Sequence, residues 1–93
     1  MKILTVCGSG LGTSFMVEMN IKQLLNEMGV EGVEVDHSDL GSATPGSADV
    51  FFLARDIAEG GASLGDVVVL ENIIDLEELR TKLTAVLQDK NLL

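Results

Sequence analysis

Apolar positions along the chain switch between a period of two and a period near 3.6, and the switches outline its elements. Ile3, Leu4 and Val6 give a short β-rich run over residues 2–6 that stops at Cys7. Three glycines then fall within five residues, at Gly8, Gly10 and Gly12, and predict a tight turn. From about residue 13 to 28, Val17, Ile21, Leu24, Leu25 and Met28 recur at steps of three and four, which predicts a helix stopped by Gly29. Residues 32–37 alternate through Val33, Glu34, Val35 and Asp36, the pattern of a strand with one wet face. Residues 41–47, with the single proline Pro45, predict a loop. Residues 48–53, apolar except for Asp49, and residues 66–70 predict two buried strands. Between them, residues 55–59 suit one or two helical turns before Gly60 and Gly61. Asp75 fits an N-cap with Glu78 three residues on, much like a capping box. Leu76, Leu79, Leu83, Val86 and Leu87 then make one helical stripe to about Gln88.

Strands that alternate with helices imply a parallel sheet covered by helices. The expected fold is a small α/β domain of the Rossmann-like kind. Its four parallel strands are expected in the order 2-1-3-4, with the first and last helices on one face. No repeat or linker divides the chain, so residues 1–93 are expected to form a single domain.

Charge narrows the partners. Fifteen acidic residues against six Lys and Arg leave a net charge of −9, which argues against nucleic acid and against anionic lipid. Trp and Tyr are absent, so the core must be aliphatic with a few Phe. The single Cys excludes an intramolecular disulfide and suits a reducing, cytoplasmic setting. No apolar run approaches the roughly 20 residues of a membrane span, and the first residues lack the pattern of a signal peptide. Nothing in the sequence demands more than a monomer.

Ligands of such sheets bind beyond the carboxyl ends of the strands, where the strand order reverses. Cys7 stands there, followed by a glycine-rich turn that opens a helix. Free N–H groups of that turn and of the first helical turn make an anion cradle. Gly8, Gly10 and Gly12 let the backbone close on the anion, and Ser9, Thr13 and Ser14 add hydroxyls. The same field favours a thiolate, the nucleophilic form of cysteine. The loop is therefore expected to carry a phosphoryl group on sulfur. A lone Cys is ordinarily a small buried hydrophobe, but an inert thiol has no need of three glycines and three hydroxyls in the next seven positions.

Rival motifs fit less well. A Walker A loop needs a Lys before its Ser or Thr, and none precedes Thr13 or Ser14. The dinucleotide fingerprint would place its third glycine at Thr13, although Asp36 is available for a ribose, so a nucleotide-binding module stays open. A Cys-dependent phosphatase of the C-x5-R type would need Arg where Thr13 stands. One His and one Cys among scattered carboxylates show no metal-ligand spacing, and neither metal nor cofactor is expected.

The stretch from Cys7 through Gly8, Ser9, Gly10, Leu11, Gly12, Thr13 and Ser14 resembles the phosphocysteine loop of bacterial phosphotransferase-system enzyme IIB proteins, most closely the ascorbate-type branch. The likeness continues through residues 15–18, 33–41 and 66–75 and is least familiar over 55–64. The galactitol-type proteins share a similar loop, whereas the lactose/cellobiose type usually lacks this glycine pattern. The resemblance implies that a phosphohistidine on enzyme IIA charges Cys7. Cys7 would then pass the group to a sugar, L-ascorbate in this branch, held by the membrane enzyme IIC. Residues 8–14 would be the cradle. The protein would be cytoplasmic and meet the inner face of the membrane only through IIC.

Several residues invite a role without a motif. His37, the only His, is expected as a solvated strand-end residue near the site's edge, with phosphohistidine the sharper alternative. Arg55, after the third strand, is expected either near the phosphate or on the surface. Glu71 and Asn72 share that edge. Phe15, Met16 and Met19 are expected to pack normally, with a docking patch as the alternative.

Overall fold

The computed structural model describes residues 1–8 and 12–93. Four strands, β1 (Lys2–Cys7), β2 (Glu34–Asp39), β3 (Val50–Ala54) and β4 (Val67–Leu70), form one sheet in the order β2-β1-β3-β4. Every pairing is parallel, as the alternation of strands and helices predicts. The helices are α1 (Gly12–Met28) and α2 (Leu76–Asp89), and a 3-10 helix spans Arg55–Gly61.

Side-chain alternation divides the sheet into two cores. Ile3, Val35, Val50 and Phe52 face α1 and α2 and pack with Val17, Ile21, Leu24, Leu79, Leu83 and Leu87. Both helices therefore lie on one face, as expected. Leu4, Val6, Phe51 and Leu53 point the other way, against Leu64, Leu40 and Ile57. That face is covered by the 3-10 helix and loops rather than by a full helix. Gly61 makes this cover possible: a Cβ there would stand 2.2 Å from Leu53 Cδ2, inside a closed core.

Strand limits differ from the pattern where turns intervene. The strand expected over 32–37 runs as β2 from Glu34 to Asp39, because Gly32 takes φ +81 in a turn and pairing begins only where Glu34 N–H donates to Met1 O at 2.8 Å. The strand expected from residue 48 begins at Val50, because the Asp49 carboxylate caps Lys2 N–H at 2.7 Å at the sheet's start. β4, expected to be buried, touches both cores through Val67 and Val68 but stays half-buried over Val67–Val69. It is an edge strand, and no further strand among the described residues pairs with its outer side.

Helix ends follow local rules. α1 ends in a Schellman motif with Gly29 at φ +71: Val30 N–H donates to Leu25 O at 3.0 Å and Gly29 N–H to Asn26 O at 3.2 Å. α2 ends the same way on Asn91, at φ +62, a residue that tolerates this conformation. Asp75 caps α2 by accepting from Glu77 and Glu78 N–H. The capping box is not closed, since Asp75 N–H already donates to Asn72 O at 3.0 Å. Glu78 reaches further back instead, to the N–H groups of Glu71 at 2.7 Å and Asn72 at 2.9 Å.

Candidate functional site

The strand order reverses at β1, whose neighbours β2 and β3 lie on either side. Cys7 ends that strand, and α1 begins five residues later. The thiol is buried, with 6% of the residue exposed. Its Sγ lies 3.1 Å from Ser14 Oγ and 3.8 Å from Ser38 O. Ser14 is fully buried in the first turns of α1, and its carbonyl accepts from Thr5 Oγ1 at 2.7 Å. The backbone at Cys7 is fixed as well, because Leu40 N–H donates to Cys7 O at 2.8 Å.

A cavity of about 370 Å³ opens at the sulfur, lined by Cys7, Gly8, Thr13, Ala54, Asp56, Ile57 and Ile73. Of the residues expected to cradle an anion, Gly8 and Thr13 line this space and Ser14 touches the sulfur. Gly12 is exposed at the start of α1. Ser9, Gly10 and Leu11 lie outside the described residues. A side chain at position 8 would press on Ile57 Cγ2, 3.0 Å from an added Cβ. Gly8 therefore lets Ile57 of the 3-10 helix pack against the end of β1.

Three lining residues carry no motif: Asp56 and Ile57 follow β3, and Ile73 follows β4. The rule that binding sites gather at strand carboxyl ends was the one available signal for them. A second cavity of about 540 Å³ adjoins the first through Ala54, Asp56 and Ile73 and is lined further by Arg55, Leu70, Glu71 and Asn72. Arg55 is ion-paired with Glu71, both largely exposed, so the pair bridges the β3 and β4 loops and adds little stability. Arg55 does not line the Cys7 cavity.

Glu78 orders the floor of the second cavity by holding the N–H groups of Glu71 and Asn72. The Lys82 ammonium, 2.7 Å away, and those two N–H groups hold the Glu78 carboxyl down at about 2, from an ordinary 4.5. A carboxyl depressed in the folded state stabilises the fold above its unfolded value and loses that contribution as pH falls toward the folded one. We expect Glu78→Gln to cost about 1–2 kcal/mol at neutral pH. In thermal melts, the gap between wild type and variant should close as pH drops from about 4.5 to about 2.

His37 is not simply solvated. Its ring is half-buried, its Nδ1 is paired with Glu18 Oε1, and Phe15 meets it edge-on at 5.4 Å between centroids. Glu18, which no motif singled out, is buried and also holds Lys22 Nζ at 2.6 Å. Burial raises the Glu18 carboxyl, but Lys22 and His37 together outweigh it, and the carboxyl lies below its ordinary value. Glu18, Asp36 and His37 bring their ligand atoms within 4.8 Å of one another, the one such grouping among the described residues. Phe15 and Met19 are each 49% exposed, one turn apart on α1 beside the Cys7 loop, so ordinary packing does not describe them.

The sequence profile of the PTS system, Lactose/Cellobiose specific IIB subunit, matches residues 2–85. The chain belongs to that family. A IIB subunit is a phosphotransferase component of sugar uptake and works with a IIA protein and a membrane IIC protein. This profile is named for the lactose/cellobiose type, not for an ascorbate type.

Solved structures agree on the fold. The YwlE arginine phosphatase, in a mutant with a phosphorylated active site serine, superposes with a TM-score of 0.70 at 18% identity, covering 100% of both chains. The lactose-specific IIB component domain from Streptococcus pneumoniae gives 0.63 at 22% identity over 95% of each chain. A low molecular weight protein tyrosine phosphatase from Bacillus subtilis gives 0.58 at 15% identity, covering 98% of this chain and 95% of the other. No curated protein matches. In this IIB subunit, no helix among the described residues is long and apolar enough to cross a membrane.

Proposed function

We propose that Cys7 is the phosphoryl acceptor and transient carrier of this IIB subunit. The observation that carries the reading is the Cys7 sulfur held against Ser14 Oγ at 3.1 Å, beside the first turns of α1 and at the wall of a cavity. In the first half-reaction the Cys7 thiolate attacks the phosphorus of a phosphohistidine on IIA. The S–P bond forms, the N–P bond breaks, and the imidazole leaves with its electron pair. In the second, a sugar hydroxyl held by IIC attacks the same phosphorus. The O–P bond forms, the S–P bond breaks with its electron pair going to the thiolate, and the hydroxyl proton passes to a base at the sugar site or to water. N–H groups at the helix N-terminus, with Thr13 and Ser14, stabilise charge on the transferring oxygens. The carrier needs no metal and no cofactor.

The sugar we favour is L-ascorbate, on the resemblance of residues 7–14, with galactitol as the alternative. Residues 1–93 act as one monomeric domain on the cytoplasmic side and reach the membrane through IIC. Thr13, six residues after Cys7, supports a carrier over a phosphatase, since no guanidinium stands at that position to drive the hydrolytic transition state.

Incubation with phosphoenolpyruvate, the general phosphotransferase proteins and an ascorbate-type IIA should add one phosphoryl group to the Cys7 peptide, read by mass spectrometry. Labelling by a galactitol-type or lactose-type IIA alone would move the sugar and keep the mechanism. No label from any donor would overturn the carrier.

A further inference from the structure

Glu18 is a buried carboxylate on the sheet-facing side of α1, where the other buried positions further along the helix are aliphatic: Val17, Ile21, Leu24 and Leu25. An ionised group there is costly unless it is paired and hydrogen-bonded. It lies one helical turn after Ser14, so the two side chains stack on the same face. Lys22 Nζ binds Glu18 Oε2 at 2.6 Å, but Lys22 rides on the same helix, and such a pair forms in a free helix as well. It cannot locate α1 against the sheet. His37 can, because it comes from β2 and its Nδ1 binds Glu18 Oε1.

The ring of His37 is itself held. Phe15 packs edge-on against it, and the Asp36 carboxylate fixes the strand beneath it by accepting from the His37 backbone N–H at 2.8 Å. A second cross-element contact lies one turn back: Thr5 Oγ1 of β1 reaches Ser14 O at 2.7 Å and Asp36 O at 3.3 Å. A series of polar contacts thus runs from Lys22 and Glu18 through His37, Asp36 and Thr5 to Ser14 and the Cys7 sulfur, joined through the backbone at His37, Asp36 and Ser14. Its members come from three separate elements.

We infer that Glu18 and His37 are a positioning pair, in which the imidazole of β2 fixes the buried carboxylate of α1 so that Ser14 Oγ stays aligned on Cys7 Sγ. This role rests on the reading of Cys7 as the phosphoryl acceptor and adds to it the residues that hold the acceptor loop in register. Removing His37 leaves Glu18 to Lys22 alone and releases the hydrogen-bonded tether between helix and strand.

The test uses His37→Ala, His37→Asn, and Leu87→Val as a core control far from the loop. Asn carries its side-chain N–H near the place of the imidazole Nδ1, so it keeps a donor for Glu18. Two rates are read on each protein: charging of Cys7 by the phosphohistidine donor, and alkylation of Cys7 by iodoacetamide, which needs no partner. His37→Ala should charge about 10- to 100-fold more slowly, the loss expected from a small misplacement, and His37→Asn should recover to within about threefold. Because Cys7 is nearly closed to solvent, the loosened loop in His37→Ala should alkylate about threefold faster or more, and His37→Asn should not. The pair is overturned if His37→Ala matches wild type in both rates, if His37→Asn is as impaired as His37→Ala, or if Leu87→Val reproduces the same losses. If wild type takes no label from any donor, the carrier reading fails and alkylation alone decides: faster in His37→Ala and normal in His37→Asn upholds the pair, and equal rates overturn it.

Discussion

Cys7→Ala should take no phosphoryl group from any IIA donor and should abolish sugar phosphorylation in a reconstituted system. Removing the nucleophile of a covalent route costs on the order of 10⁴-fold or more, because the remaining cradle has nothing to receive the group. The loss should come without unfolding. Cys7 is buried as a small side chain, and trimming its sulfur costs about 1 kcal/mol, well inside the margin of a domain this size. Thermal melts of the variant should therefore lie within a few degrees of wild type while the phosphorylated peptide is absent from its mass spectrum. A variant that still carries label would place the acceptor elsewhere. Cys7→Ser is a different experiment. A serine alkoxide is a far poorer leaving group from phosphorus than a cysteine thiolate, and a hydroxyl a poorer nucleophile, so Cys7→Ser is expected to charge slowly and hold its label without passing it on.

Phe52→Ala should give the largest loss of stability. Phe52 is 1% exposed on the central strand β3, facing both helices among Ile3, Ile21, Leu83 and their neighbours. Core Phe→Ala substitutions cost about 3–5 kcal/mol, from lost transfer energy and the cavity left behind. A chain of 93 residues has about 5–14 kcal/mol in total. The melting temperature should fall by roughly 10–30 °C. Phe15→Ala is the control: its ring is half-exposed, and the change should stay within about 0.5 kcal/mol. Equal shifts for the two variants would mean that the helix-side core is not where the fold draws its stability.

Much of this protein was legible in order of residues. The alternation through Val33 to Asp36, the stripe from Val17 to Met28 and the apolar runs near Phe51 and Val68 each report a local period, and a period names an element without knowledge of its neighbours. Gly8 after Cys7 likewise marked a backbone that comes close to a neighbour, Ile57. From the alternation of elements, parallel pairing and the order 2-1-3-4 followed, because crossover connections leave few topologies open.

What the sequence hid were the meetings between elements. Glu18 looks like any helix-surface acid, and His37 like any strand-end imidazole, until α1 packs beside β2 and brings positions 19 residues apart into one hydrogen bond. Glu78 fits a capping box by spacing, yet its carboxylate serves Glu71 and Asn72, since Asp75 N–H was already taken. Asp56, Ile57 and Ile73 became neighbours of Cys7 only when the ends of β3 and β4 came level with the end of β1. The sequence by itself determined the periods and the stops, because each depends on torsional preference and burial within a few residues. Tertiary structure alone decided which polar side chains share a partner, because that depends on the register and distance between elements, which no local pattern records.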